Sequence, residues 1–270
     1  MTRLAIAPAL AGLLVLGVGA GQFSAAWAQE ADNPPMPKIE WSFKGPFGTF
    51  DRAALQRGFQ VYNEVCSACH SMNLLSYRDL EGPTGLGYSA DEVKAIAATK
   101  QVSDGPNDQG QMFQRPGQPA DHFVAPFPNE KAARFANNGA LPPDLSVIIK
   151  ARDGGPDYVH AILTGFRDAP ASVQMAAGMN YNMYFTGHQI AMPPPLTDNR
   201  VTFADGTPAT IDQEAQDVAT FLTWASEPTM EERKRTGAKV MIFLGVLAVV
   251  LYGAKRRVWS SLHDKDAKNS

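Results

Sequence analysis

Two long apolar runs lie near the ends of the 270-residue chain. The first, residues 9–20, follows a start whose one charged residue is Arg3, and it precedes the small-residue sequence Ala26-Trp27-Ala28. A short basic start, an apolar core and small residues at these positions are typical of a secretory signal peptide. We therefore predict that residues 1–28 direct export and are then removed. A retained N-terminal membrane helix is the alternative.

The second apolar run, residues 240–254, contains no charged residue and is bracketed by Lys239 and Lys255. At a rise of about 1.5 Å per residue, such a helix is shorter than the hydrocarbon core of about 30 Å. Two more small residues on its N-terminal side, with both lysines snorkelling to the surfaces, close most of the gap. We predict a transmembrane anchor at 237–254. A buried core helix is the alternative.

Charged residues flank the predicted anchor on both sides. Residues 255–257 are all cationic, as expected of a cytoplasmic flank, but residues 233–235 are cationic too. The signal peptide therefore decides the orientation. It predicts that residues 29–230 lie on the periplasmic side of a bacterial inner membrane and that 255–270 form a cytoplasmic tail.

Between the two runs, residues 52–65 carry the periodicity of a helix. Leu55, Phe59 and Tyr62 fall on one face, and Asp51 can cap the first turn. Gly58 lies inside this helix, where glycine costs about 1 kcal/mol relative to alanine. A close crossing with another helix would explain the glycine.

A partner for that crossing is predicted near the end of the same domain, at residues 213–226. Asp212 is a possible N-cap. The apolar face of this helix consists of Val218, Phe221, Leu222 and Ala225. These patterns favour a mainly α fold.

The charge is unevenly distributed once the segments are separated. Residues 29–230 hold 14 basic and 23 acidic side chains, a net charge near −9. An exported acidic domain favours a basic protein partner and disfavours nucleic acid.

The chain has two cysteines, in the sequence Cys66-Ser67-Ala68-Cys69-His70. This C-x-x-C-H pattern is the attachment motif of c-type haem. Two thiols about one helical turn apart can add to the two vinyl groups of one porphyrin edge. The histidine that follows is a good neutral ligand for haem iron.

Two other cysteine sites are less favoured. A thioredoxin-like redox pair should follow a strand in a βαβ pattern, whereas this motif follows a helical run. A zinc site needs a second pair of ligands at metal spacing, and the sequence offers none. We therefore predict one covalent haem c.

The sixth iron ligand must come from a distant segment, and His188 and Met192 are the main candidates. Met192 precedes three prolines, residues 193–195, which hold it on a stiff, non-helical loop. His188 is in a less constrained position, so Met192 is preferred. Three more methionines at helical spacing are interpreted as core filling: Met175, Met179 and Met183.

At this point the chain resembles the cytochrome c1 family, whose members are haem c subunits of the cytochrome bc1 complex. The resemblance covers nearly all of the chain after residue 28 and follows the order of the family's motifs. The matching segments are residues 41–43, 45–48, 57–62, 66–70, 136–146, 151–152, 154–159, 190–194, 205–210, 233–235 and Gly237.

The resemblance implies a full set of haem contacts. Cys66 and Cys69 would form the thioethers, while His70 and Met192 would be the axial iron ligands. Some bacterial members brace the methionine loop with extra cysteines, which this chain lacks, so residues 193–195 and packing would have to hold it.

Three other positions gain a role through the resemblance. Arg152 and Tyr158 match positions that hold a haem propionate, a task that suits a guanidinium and a phenol. Without the family, Arg152 would be a surface cation and Tyr158 a core aromatic. Asn137 lies in the segment that covers the haem.

The implied function is a one-electron relay within quinol–cytochrome c oxidoreductase, with no acid, base or nucleophile in this subunit. A Rieske iron–sulfur protein would reduce the haem and a soluble cytochrome c would collect the electron. Cytochrome b would be a further partner in a dimeric complex. The alternatives are a free-standing anchored carrier, expected to be nearer 100 residues, and a peroxidase-like haem enzyme with an open iron site. Residues 74–143, rich in Gly, Pro and Asp, look like an insertion for subunit contacts.

Overall fold

A computed structural model describes residues 34–266, with side chains described as far as Ser260. The predicted signal peptide and the last four residues of the predicted tail lie outside the described residues. The described helices are α1 (Arg52–Glu64), α2 (Ala90–Ala98), α3 (Glu130–Ala136), α4 (Pro156–Thr164), α5 (Ile211–Ser226) and α6 (Met230–Asp266). The short strands are β1 (Gln101–Asp104), β2 (Phe113–Pro116), β3 (Asn180–Tyr181) and β4 (Gln189–Ile190). The prediction of a mainly α fold is confirmed.

Helix α1 forms as its sequence predicts. The Asp51 carboxylate accepts hydrogen bonds from the backbone N–H groups of Ala53 and Ala54, at 2.9 and 3.5 Å, and so caps the first turn. Leu55, Phe59 and Tyr62 are all buried. The helix ends at Glu64, one residue before the predicted end.

Helix α5 begins two residues earlier than predicted, and its cap is different. Thr210 is the N-cap, because its hydroxyl accepts a hydrogen bond from the N–H of Gln213 at 3.2 Å. The predicted cap, Asp212, lies inside the first turn and its carboxylate bonds to Nε2 of His160 on α4, 2.9 Å away. The four residues predicted to form the apolar face are all buried.

Helices α1 and α5 cross where the sequence predicts, at Gly58. A Cβ atom placed on Gly58 would lie 2.0 Å from the carbonyl oxygen of Asp217 and 2.8 Å from Cβ of Phe221. Aromatic rings fill the space on either side: the ring centroid of Phe221 lies 5.7 Å from those of both Phe59 and Tyr62. The crossing is therefore the centre of the core.

The segment at 74–143 is more ordered than a loop insertion. It contains a 3-10 turn (Tyr77–Leu80), α2, the antiparallel pair β1–β2, and α3. Phe123 joins it to the core, since its ring stacks on Tyr77 at 4.7 Å and on Tyr62 at 6.0 Å.

The methionine-bearing segment between α4 and α5 also differs from its helical spacing. The antiparallel pair β3–β4 forms there. Met175, Met179 and Met183 lie outside the helices, and Met179 is 39% exposed. Core filling is therefore wrong for Met179. The hairpin and the left-handed glycines Gly178 and Gly187 override the spacing.

Helix α6 is long and apolar enough to cross a membrane. It is continuous from Met230 to Asp266, a length of about 55 Å at 1.5 Å per residue. Its most apolar 18-residue window, of mean hydropathy 2.0, has no buried residue. The alternative of a buried core helix is therefore wrong.

Candidate functional site

The C-x-x-C-H motif begins where α1 ends. A 3-10 turn (Cys66–Ala68) continues the chain, and the carbonyl of Cys66 accepts hydrogen bonds from the N–H groups of Cys69 and His70, at 3.1 and 2.9 Å. This tight turn brings both sulfurs and the imidazole to one end of α1. The two cysteines are not joined in a disulfide, and Cys69 is exposed.

The Cys66 thiol is held in its protonated form, unlike the thiolate of a redox nucleophile. Desolvation raises the pKa of the Cys66 thiol to about 12, and the neighbouring Cys69 adds to the increase. Reactive thiols of the thioredoxin type have a lowered pKa. The raised pKa of Cys66 therefore argues against a redox pair of the thioredoxin type.

The His70 ring is held by one backbone carbonyl. Its Nδ1 lies 2.8 Å from the carbonyl oxygen of Pro143, which can only accept, so Nδ1 carries the proton. Nε2 is then left with its lone pair, as a metal ligand requires. Desolvation lowers the pKa of His70, which favours the neutral ring. Two unbridged thiols and an imidazole in this tautomer together fit a c-type haem.

The segment that contains Pro143 is bonded to the motif along its length. The carboxylate of Asp144 accepts from the Ser71 hydroxyl at 2.8 Å and from the Asn73 N–H at 2.9 Å. The Leu145 N–H donates to the Ser71 carbonyl at 2.9 Å. Sequence reasoning gave no role to the Pro143 carbonyl or to Asp144. A backbone acceptor leaves no trace in the residue types, and one aspartate among 27 acidic residues carries no signal.

Met192 follows the β3–β4 hairpin directly. It is half-buried, and its carbonyl accepts a hydrogen bond from the Asn180 amide at 3.3 Å. Pro193 and Pro194 continue the chain on the surface. The stiff presentation predicted for this residue therefore has a physical basis in the hairpin as well as in the prolines.

His188, the rival ligand, is more constrained than the sequence indicates. Its backbone is left-handed, with φ of 58°, and its ring stacks on Tyr181 at 5.4 Å. Nδ1 also lies 3.2 Å from the carbonyl of Asn182. These contacts assign His188 to the turn of the hairpin.

The three remaining candidates, Arg152, Tyr158 and Asn137, form their hydrogen bonds and packing contacts away from the motif. Arg152 is exposed, and its guanidinium donates to the Ala151 carbonyl at 2.9 Å. Tyr158 is half-buried on α4. Asn137 is the C-cap residue of α3, and its amide donates to the carbonyl of Ala133 at 2.8 Å.

Within residues 34–266, no hydrogen bond joins these side chains, or Met192, to the Cys66–His70 turn. The structure thus unites the cysteines, His70 and the segment from Pro143. Met192, Arg152, Tyr158 and Asn137 could contact the same site only through a bound group that lies between them and the motif.

Comparison with known proteins decides the family. The chain matches the Cytochrome C1 family over residues 41–262. It belongs to the cytochrome c1 family. Among its relatives, cytochrome c1 of Rhodospirillum rubrum is 46% identical over 275 residues, covering 96% of this chain and 98% of that protein. The mitochondrial heme protein cytochrome c1-2 of Solanum tuberosum is 51% identical over 247 residues, covering 91% of this chain and 94% of that protein.

A third relative is much longer than this chain. Cytochrome b/c1 of Bradyrhizobium diazoefficiens is 48% identical over 282 residues, which cover 97% of this chain but 40% of that protein. Membership in the cytochrome c1 family supports a haem-containing electron-transfer subunit of the bc1 oxidoreductase. One apolar C-terminal helix fits a membrane-anchored member.

Proposed function

We propose that Cys66 and Cys69 bind one haem c covalently, and that His70 and Met192 are its axial iron ligands. The observation that carries the proposal is the 2.8 Å contact between His70 Nδ1 and the Pro143 carbonyl, which leaves Nε2 available. The bound haem would supply one-electron chemistry, its iron alternating between two valences, with a potential raised by a methionine ligand.

The other chain residues would hold and cover the group. Arg152 and Tyr158 would bind a haem propionate. Among the described residues, the exposed guanidinium of Arg152 donates one hydrogen bond, to the Ala151 carbonyl, so its other N–H groups would be available to the propionate. The Asn137 amide is bonded to its own helix. Asn137 would contribute to the segment that covers the haem, and its amide keeps a second N–H and its carbonyl oxygen for such a contact.

As to the electron path, the chain would accept an electron from the Rieske iron–sulfur protein and pass it to a soluble cytochrome c. Cytochrome b would be the membrane partner in a dimeric complex. The net charge near −9 of residues 29–230 supports a basic electron acceptor. No residue of this chain would act as acid, base or nucleophile.

The proposed organisation follows the same logic. Residues 1–28 would be a signal peptide, 29–230 a periplasmic haem domain, 237–254 the transmembrane anchor and 255–270 a cytoplasmic tail. The exposed apolar surface of α6 supports the anchor. The predicted signal peptide supports the orientation, since basic residues flank the anchor on both sides.

The Met192→Leu variant tests the ligand set, with Met183→Leu as its matched control. Both methionines are half-buried and lie near the same hairpin. We expect Met192→Leu to lose the methionine-type optical spectrum and to lower the midpoint potential, whereas Met183→Leu changes neither. An unchanged spectrum in Met192→Leu would remove it from the site.

Two further measurements separate the rival functions. Carbon monoxide binding to the ferrous protein would favour a peroxidase-like open site over a six-coordinate relay. Purification in mild detergent without cytochrome b would favour a free-standing carrier. Both rival functions also require the covalent haem. Its presence is tested separately, by the mass of the mature chain.

A further inference from the structure

Residues 42–49 form a closed surface loop. The Thr49 N–H donates to the Ser42 carbonyl at 3.1 Å and closes the loop at its base. At Gly48 the backbone turns so tightly that a Cβ atom would lie 2.0 Å from the carbonyl oxygen of Lys44. The loop is therefore held in one shape.

A stack of buried aromatic rings supports the base of this loop. The ring of Phe43 lies 5.5 Å from Trp41 and 5.1 Å from Phe50, and all three are buried. Phe47, by contrast, is 84% exposed. The same short segment therefore buries three aromatic side chains and leaves a fourth in the open.

The loop is bonded to the first turns of α6. Nζ of Lys234 donates to the carbonyls of Phe43 and Gly48, at 2.6 and 3.1 Å. The Phe50 N–H donates to the carboxylate of Glu231 at 2.6 Å. These bonds fix the height of the loop along the helix that carries the apolar span.

That height lies at the outer edge of the polar layer of a membrane. Lys234 precedes the apolar run at Val240 by six residues, or about 9 Å of helix. The polar layer of a bilayer is about 5–8 Å thick on each side of the hydrocarbon core. A large side chain on a loop held at Lys234 is thus within reach of the boundary between headgroups and acyl chains.

The far end of the predicted anchor offers a counterpart. Tyr252, 62% exposed, lies two residues before the anchor ends at residue 254. Aromatic side chains are enriched at both surfaces of a membrane. Tyr252 lies near one boundary; at the other, the first aromatic residue of α6 is Phe243, three residues inside the apolar run, and the polar turns before it carry none from Met230 to Val240.

We propose that Phe47 inserts into the periplasmic lipid surface and acts as an aromatic contact on the polar side of that boundary, so that the haem domain rests on the membrane at this loop. A single exposed apolar side chain is ordinary on a protein surface. The rigid loop, its bonds to α6 and its height are what distinguish Phe47. The inference rests on α6 spanning the membrane, as proposed above.

Spin labelling of the full-length, haem-loaded chain in phosphatidylcholine liposomes tests this contact. Single cysteines would replace Phe47, Phe135 and Val249, and the parent chain would serve as the blank for labelling at Cys66 and Cys69. Phe135 is the matched control, since it is 92% exposed but lies on α3. Val249, 72% exposed, reports on α6 itself. Collision of each nitroxide with oxygen, which concentrates in lipid, is compared with collision with a water-soluble nickel chelate.

We expect the labels at 47 and 249 to be more accessible to oxygen than to nickel, and the label at 135 to show the reverse. If the label at 47 met nickel more often than oxygen, as the label at 135 is expected to do, while the label at 249 lay in lipid, the lipid contact would be overturned and the anchor would remain. Shielding of the label at 47 from both reagents would overturn it as well, because it would indicate contact with protein. A label at 249 that meets nickel freely would overturn the anchor and the inference together.

Discussion

The backbone of Asp217 lies directly against Gly58, with no room for a side chain between the two helices. Alanine at position 58 would place its Cβ atom 2.0 Å from the Asp217 carbonyl oxygen, so α1 and α5 would have to separate. The α1–α5 crossing supports the segment from Cys66 to His70, because only Val65 separates that segment from the end of α1.

We predict that Gly58→Ala destabilises the domain by about 1–3 kcal/mol, the usual cost of overfilling a packed core. The intrinsic helix preference of alanine acts in the opposite direction. Gly237→Ala is the control, since Gly237 lies in a helix with nothing within 4 Å of its Cβ position. Urea unfolding of the detergent-solubilised chain would measure both, and equal stabilities of the two variants would contradict the packing argument.

The same crossing contains an ion pair that the sequence did not indicate. The Arg57 guanidinium donates twice to the Asp217 carboxylate, at 2.7 and 2.9 Å, and once to Asp205 at 2.7 Å. Asp217 is buried. Such a fork-to-fork pair is strong in geometry but costs the desolvation of both charges.

We therefore expect Arg57→Met to cost about 3–5 kcal/mol, because it leaves a buried carboxylate without its cation. The double variant Arg57→Met with Asp217→Leu should recover much of that loss, since it removes both charges. A double-mutant cycle from urea unfolding would measure the coupling. A double variant as unstable as the sum of the two single variants would show that the residues act independently.

The sequence predicted this region well where one helix face determines the outcome. Residues 52–65 show their buried stripe in the residue types, and Gly58 indicates a close approach because glycine inside a helix needs a reason. Periodicity misled at Met175, Met179 and Met183, where a hairpin and two left-handed glycines, Gly178 and Gly187, set the backbone.

In the site, too, local sequence patterns predicted some residues and missed others. The C-x-x-C-H motif identifies its own residues because the chemistry requires adjacent side chains. The support of His70 was not predictable, since it is a backbone carbonyl 73 positions away in the chain. Long-range contacts of this kind depend on the tertiary fold and leave no local pattern.

Asp144 bonds the segment after Pro143 to the loop after His70, and its removal should loosen that loop. Its carboxylate accepts from the Ser71 hydroxyl and from the N–H groups of Asn73 and Ser146, all within 2.9 Å. We predict that Asp144→Ala lowers stability by about 1–3 kcal/mol, because donors in a partly buried site lose their acceptor. Asp153→Ala, at an exposed position, is the control. Thermal unfolding followed by far-UV circular dichroism would measure the difference, and equal midpoints would exclude the bracing role.

A buried carboxyl group, Glu214 on α5, should make stability depend on pH. Glu214 is fully buried; one carboxylate oxygen accepts from the Val201 N–H at 3.2 Å, and the other has no hydrogen-bond partner among the described residues. Desolvation raises the pKa of Glu214, and the nearby Asp198 adds to the increase, while the backbone N–H groups of Val201 and Arg200 oppose it. The folded state thus holds the Glu214 proton more tightly than the unfolded chain does.

The sign of the effect follows from that raised pKa. The folded state gains stability from Glu214 below its unfolded pKa of about 4.3, and loses it as the pH rises toward the folded pKa. Glu214→Gln has no such proton to lose, so its stability relative to the parent should increase with pH over this interval, by at most about 1.4 kcal/mol per pH unit. Urea unfolding of both chains at pH 4.5 and at pH 7 would measure the change. Glu64→Gln, on the exposed surface of α1, controls for the loss of one carboxylate. A difference between Glu214→Gln and the parent that stays constant across the two pH values would mean that Glu214 has the same pKa in the folded and the unfolded chain, and would contradict the prediction.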